Sequence, residues 1–178
     1  MKDKILAANT HYGAMVEALL NELKPFDNER LNRKPANGGW SAIQTLHHLM
    51  LVEENSMAYL RKKLSFNTPI EKAGIGAWWR SLLLKAVLRI PVKFKAPISA
   101  GNERIPEQDT LEEVQLRWNK IRNEWQVFFE ELPDELLEKA VYRHPRAGRL
   151  SWLQMLNFFN AHFKRHREQV RRAILFIA

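Results

Sequence analysis

A chain of 178 residues with 46% hydrophobic and 27% charged residues has an ordinary globular composition and is long enough to bury a core without covalent staples. It contains no cysteine, which excludes disulfides, a thiol nucleophile and every thiolate metal site, so a metal here would need His, Asp or Glu. A formal net charge of +8 raises nucleic acid or an anionic surface as a partner.

The chain opens on Met1-Lys2-Asp3-Lys4-Ile5, which lacks the apolar run of a signal peptide, and no stretch approaches the roughly 20 apolar residues that span a bilayer. The sequence therefore reads as a cytoplasmic protein. Ile5, Leu6, Met15, Val16, Leu19, Leu20 and Leu23 recur at helical spacing and predict a first helix over 4–23, with a lone histidine, His11, near its middle. Pro25, Pro35 and the Gly38-Gly39 pair mark residues 24–39 as a loop.

Ser41 followed by Gln44 is a capping box and predicts a second helix over 41–64. Two adjacent histidines lie in it, and the helical wheel separates them. His48 shares a face with Ser41, Thr45, Val52, Asn55 and Tyr59, which carries no formal charge, whereas His47 shares its side with Glu54 and Arg61 as well as Ile43 and Met50. Residues 65–109 are less legible. Residues 77–89 have the pattern of a short basic amphipathic helix, and Pro91, Pro97 and Pro106 keep the remainder extended or irregular.

Thr110 with Glu113 opens a third long helix over 110–132, with Leu111, Val114, Trp118, Ile121, Trp125 and Phe128 along its stripe and Pro133 as its stop. Residues 134–141 read as a short helix, and residues 144–148 turn the chain into the last one. Ser151 and Gln154 form another capping box for a helix over 151–177. On it Met155, Phe158, Phe159, His162, His166, Gln169, Val170 and Ala173 fall on one side, so both histidines lie within the apolar stripe one turn apart. Imidazoles at i and i+4 can point at one shared atom. The pair reads either as core histidines with hydrogen-bond partners or as two ligands of one metal, in which case His48, on its uncharged face, is the better third ligand than His47.

Four long amphipathic helices and little strand-like alternation predict an all-α four-helix bundle, one domain over residues 1–178, with a long irregular insertion between the second and third helices. The residue after His162 is Phe163, so the metalloprotease H-E-x-x-H motif is absent.

Two separated blocks resemble the DinB-like (DinB/YfiT-like) family of metal-dependent enzymes. The first is Trp40-Ser41 leading to His48-Leu49. The second is His144-Pro145, Gly148 and Leu150-Ser151, followed by His162, His166, Gln169 and Val170. The resemblance implies a four-helix bundle in which His48, His162 and His166 hold a divalent metal, zinc, nickel or iron. It also implies a metal-dependent enzyme acting on a small molecule, a hydrolase or a thiol S-transferase using a low-molecular-weight thiol, and a homodimer. The basic segment over 78–106 matches no diagnostic motif of the family and leaves the substrate open.

Three neutral imidazoles leave coordination positions open, as in catalytic sites. Gln169 and Asn160 are candidates for contacts behind the ligands, and Asn55 and Tyr59, on the His48 face, for lining the pocket. The competing expectation is a non-catalytic bundle, either metal-stabilised or a basic binding module for nucleic acid or anionic surfaces. The cationic stretches read as solvated faces, so no sequence-specific nucleic-acid binding is expected.

Overall fold

A computed structural model of the chain describes residues 1–36, 38–66, 104–144 and 148–175. Helix α1 spans Lys2–Leu23 and α2 is the short Asn28–Asn32. Helix α3 spans Ala42–Ser65, α4 spans Leu111–Glu130 and α5 spans Trp152–Leu175. A single 3-10 turn, Asp134–Leu136, follows α4, and a two-stranded antiparallel hairpin, β1 (Tyr142–His144) and β2 (Gly148–Leu150), leads into α5.

The helix starts follow the capping residues. Ser41 accepts from Gln44 N while Gln44 Oε1 accepts from Ser41 N, and Ser151 and Gln154 repeat that exchange. At α4 only half of the expected box forms. Thr110 Oγ1 accepts from Glu113 N at 3.2 Å, but Thr110 N donates to Asp109 Oδ1 at 2.8 Å, so Glu113 has no cap donor left to satisfy.

The residues expected to be a loop before α3 contain α2, capped by Asp27. Asn28 Oδ1 accepts from Leu111 N, and the Asn32 side chain exchanges two hydrogen bonds with the Asp109 backbone. The asparagines thereby supply the start of α4 with partners that a free helix end would lack. The expected short helix over 134–141 reduces to the 3-10 turn. Of the expected turn at 144–148, His144 ends β1 and Gly148 begins β2, and residues 145–147 lie outside the described residues. Gly148, at φ 70°, takes up the left-handed backbone there, which any side chain would strain.

Helices α1 and α3 each pack against both α4 and α5. Asn28, just beyond the end of α1, meets Leu111 at the start of α4, so these two helices are antiparallel. The α3–α4 contacts climb in step, from His47–Asp109 through Glu53–Trp118 to Arg61–Glu124, so these neighbours are parallel. Tyr12 meets Phe159 and Phe163 while Glu22 meets Arg167 and Arg171, which makes α1 and α5 parallel as well. The end of α3 and the start of α4 consequently lie at opposite ends of the bundle, separated by a 24-residue helix about 36 Å long. The helix expected over 77–89 and most of the basic segment over 78–106 lie outside the described residues.

One apolar core joins all four long helices, with Trp118, Trp125, Trp152, Tyr12, Phe129, Phe159 and Phe163 as its largest fully buried side chains. On α4 the stripe ends on buried Phe129, with Phe128 only partly buried. On α5 the line of deepest burial runs through Phe159, Phe163 and Val170, which shifts the stripe about the helix from where the sequence places it. His162, His166 and Gln169 therefore lie at its margin, half-buried, and not at its centre.

Candidate metal centre

The site forms where the first turns of α3 face the middle of α5. Residues 41–51 of α3 are all buried, because this helix start is wedged between α2, α4 and α5. His48 therefore enters the interior on a rigid, capped element, and α5 presents His162 and His166 from the other side.

The Nε2 atoms of His48 and His162 are 3.4 Å apart, and those of His166 and His162 are 3.1 Å apart. One ring nitrogen from each of the three lies within 4.8 Å of the others, and among the described residues no carboxylate joins the group. Ligands at about 2.0–2.1 Å from a tetrahedral ion are about 3.3–3.4 Å from one another. The two spacings about His162 fit that figure, so the three side chains suit an ion.

The electrostatics agree with the geometry. Burial, followed by the neighbouring His166 and His48, holds His162 well below the usual histidine range. Burial and the proximity of His48 lower His166 to about 3. Both are neutral at physiological pH, the form in which an imidazole carries a lone pair for a metal.

Gln169 fixes which nitrogen of His166 is bare. Its Oε1 accepts from Nδ1 of His166 at 3.0 Å, leaving the Nε2 lone pair directed at the other two histidines. Aromatic rings hold the remaining imidazoles: Trp40 lies against His48 at 4.8 Å between centroids, and Phe158 stacks on His162 at 5.4 Å with planes 28° apart. His144, from β1, meets the edge of Phe158 at 4.5 Å.

His47 points elsewhere. Its Nε2 donates to Asp109 Oδ2 at 2.9 Å, tying α3 to the residue that precedes the cap of α4. Burial pulls its pKa down while Asp109 opposes the shift. His11 is exposed on α1.

The other sequence candidates divide. Gln169 contacts a histidine of the group directly. Asn55 accepts from Arg104 at 3.0 Å, further along the His48 strip. Tyr59 packs edge-on against Tyr142 at 6.2 Å, within the core. Asn160 is half-buried, with its Oδ1 enclosed and lacking a hydrogen-bond partner among the described residues. Sequence reasoning gave Phe158 no role at the histidines, although its position four residues before His162 is a legible helical pair.

Behind the site a second polar cluster ties α1, α3 and α4 together. The buried Glu53 carboxylate accepts from Tyr12 Oη at 3.0 Å and Trp118 Nε1 at 2.7 Å and pairs with Arg122. Arg122 also reaches Asn9 and lies over the Tyr12 ring, and Asn9 donates to Gln126. Sequence reasoning missed this cluster altogether.

The bundle agrees with known proteins. The chain is similar over 97% of its length to YfiT from Bacillus subtilis, a probable metal-dependent hydrolase with an unusual four-helix bundle topology. That match has a TM-score of 0.59 and 16% identity and covers 85% of the YfiT chain. The chain is also 26% identical over 153 residues to the uncharacterized protein YuaE of Bacillus subtilis (strain 168), covering 85% of this chain and 87% of that protein. A model of the DinB superfamily matches residues 11–170, and the chain belongs to that superfamily.

Proposed function

We propose that the chain is a metal-dependent hydrolase of a small molecule, with a divalent ion held by His48, His162 and His166. The observation that carries this reading is the convergence of three imidazoles, with both Nε2 spacings about His162 those of a tetrahedral ligand set. Three protein ligands leave room in the coordination sphere, and an ion held in this way supplies Lewis acidity to a water molecule or carbonyl beside it. All-imidazole donors suit zinc, nickel and iron alike.

The chain's own residues do the rest. Gln169 sets the tautomer of His166, while Trp40 and Phe158 fix the flanking rings and shield their faces from water. Likeness to YfiT supports hydrolysis as the reaction.

The basic-module alternative is weakened by how the positive charge is placed. Arg167 and Arg171 pair with Glu22, Arg117 with Glu54, Arg61 with Glu124, Arg33 with Glu29 and Lys34 with Glu107. Among the described residues, no helix is long and apolar enough to cross a membrane.

The test is metal content of the purified protein followed by hydrolysis of a panel of activated esters and amides with and without chelator. About one ion per chain and chelator-sensitive turnover support the reading. Stoichiometric metal without any turnover would favour the metal-stabilised, non-catalytic bundle. Turnover that requires an added low-molecular-weight thiol would identify the S-transferase instead. Light scattering tests the homodimer that the family resemblance implies.

A further inference from the structure

Between α3 and α4 lies a groove that shares no residue with the histidine group. Two ion pairs bracket it. Arg117 grips Glu54 with hydrogen bonds of 2.8–3.0 Å, and Arg61 meets Glu124 at 3.3 Å. Both bridges join the parallel helices in the same register, 54 to 117 and 61 to 124, so they stand two helical turns apart, about 10 Å. Between them Met57 and Ala58 from α3 and Lys120 and Ile121 from α4 line a cavity of about 330 Å³, with Trp125 also in its wall.

The groove has an apolar floor and a charged rim. Met57, Ile121 and Trp125 are buried side chains of the core that also face this opening. The indole N–H of Trp125 is enclosed and has no hydrogen-bond partner among the described residues, so one donor in this wall is unmet. On the rim both carboxylates are taken, Glu54 by Arg117 and Glu124 by Arg61. Lys120 is exposed between the bridges and has no ion-pair partner among the described residues. Three cationic side chains against two carboxylates leave one positive charge in the groove, that of Lys120. The volume falls at the lower end of the range for small-molecule sites, about 300–1,000 Å³.

We propose that this groove binds a small carboxylate with an apolar body, about the size of two fused rings, the body lying over Met57, Ala58 and Ile121 and the carboxylate meeting Lys120. A neutral apolar ligand would leave the lysine unmatched, and a small hydrophilic anion would leave the floor exposed. The two bridges set the length, because a longer body would have to break one of them. The site stands independently of the metal-site reading.

The experiment titrates the full chain with 2-naphthoate, with the neutral 2-naphthamide and with acetate, following the methyl signals of Met57 and Ile121 and the indole N–H signal of Trp125 by NMR. Wild type, K120Q, A58W and K164Q are compared, with thermal unfolding measured for each. The expected result is that naphthoate moves all three signals and acetate none. K120Q should weaken naphthoate about tenfold and leave naphthamide unchanged. A58W places a large side chain on an exposed position of the floor and should abolish binding of both aromatic probes. K164Q removes the same charge from the exposed face of α5 and should change naphthoate affinity less than twofold, which separates a local contact from the general field of a basic protein. Should A58W fail to fold, K120Q, an exposed substitution, still decides the question. Naphthoate that leaves the three signals unmoved, equal affinity for naphthoate and naphthamide, or equal losses in K120Q and K164Q would each overturn the proposal.

Discussion

Gln169 Oε1 lies 3.0 Å from Nδ1 of His166, while Nε2 of the same ring lies 3.1 Å from Nε2 of His162. The amide holds the proton on one side of the ring and keeps the lone pair on the other. Replacing Gln169 by Leu removes that hold without touching a ligand. Metal affinity should fall about 10- to 100-fold at unchanged stoichiometry. Isothermal titration with Zn2+ or Ni2+ reads both quantities, and an unchanged affinity would show that the ring is oriented by packing alone.

His48→Ala should abolish stoichiometric metal uptake, whereas His47→Ala should preserve it. The second variant loses the hydrogen bond to Asp109 and should be destabilised by about 1 kcal/mol, because Asp109 keeps its contact with Thr110 N. Metal analysis of the two purified variants, with denaturant unfolding of the second, separates the adjacent histidines. If His47→Ala also loses the ion, the assignment of His48 alone is wrong.

Glu53 and Arg122 form a buried pair within a cluster that three helices share. Arg122→Met leaves the carboxylate without its cation and should cost about 3–5 kcal/mol in chemical denaturation. Glu53→Gln combined with Arg122→Met should cost less than the sum of the single changes, since the two side chains are in direct contact. Additive losses would show that the two charges do not depend on each other.

Acid should act on the metal-free protein by two routes. His162 and His166 have lowered pKa values when folded, so below the ordinary histidine value of 6.5 the unfolded chain binds more protons than the folded one. Their neutrality thus costs stability progressively from pH 6.5 downward, toward the value of about 3 at His166. Glu22 works at lower pH: Arg171, aided by Arg167, lowers its pKa below 4.5, so its contribution is intact above 4.5 and disappears as pH falls through the lowered value. Melting curves should show His166→Gln losing less stability than wild type between pH 6.5 and 5. Glu22→Gln should melt below wild type at pH 7 and converge with it at the acid end. Parallel pH profiles would contradict both assignments.

The long helices were legible because their signals are local. Ser41–Gln44 and Ser151–Gln154 are read within four residues, and apolar positions at helical spacing need nothing from outside the helix. The separation of His47 from His48 was legible for the same reason, from the charge on each face. The partner of His47 was not, because Asp109 is 62 residues away and nothing local marks it.

Glu53 is the instructive miss. It lies on the line of Leu46, Met50, Met57 and Leu60, so its burial was written in the periodicity of α3. Its partners Tyr12, Trp118 and Arg122 come from two other helices and become visible only when the bundle is assembled. The shift of the α5 stripe toward Phe163 has a similar origin. A helical wheel gives the spread of apolar side chains, but the neighbours α1 and α3 decide which part of that spread is covered.

The placement of α5 across from His48 brings the Nε2 atoms of two histidines separated by 114 positions in sequence to 3.4 Å. An ion bound there would close a loop spanning most of the chain. Closing a loop of that size in a disordered polymer is entropically unfavourable, so almost none of the unfolded ensemble would hold the ion. Three-ligand metal binding would then count completed molecules, because a well-formed α5 brings His162 and His166 together but leaves His48 apart. A stopped-flow binding signal during refolding would therefore time the last docking of α3 against α5, separately from the circular dichroism that times the helices.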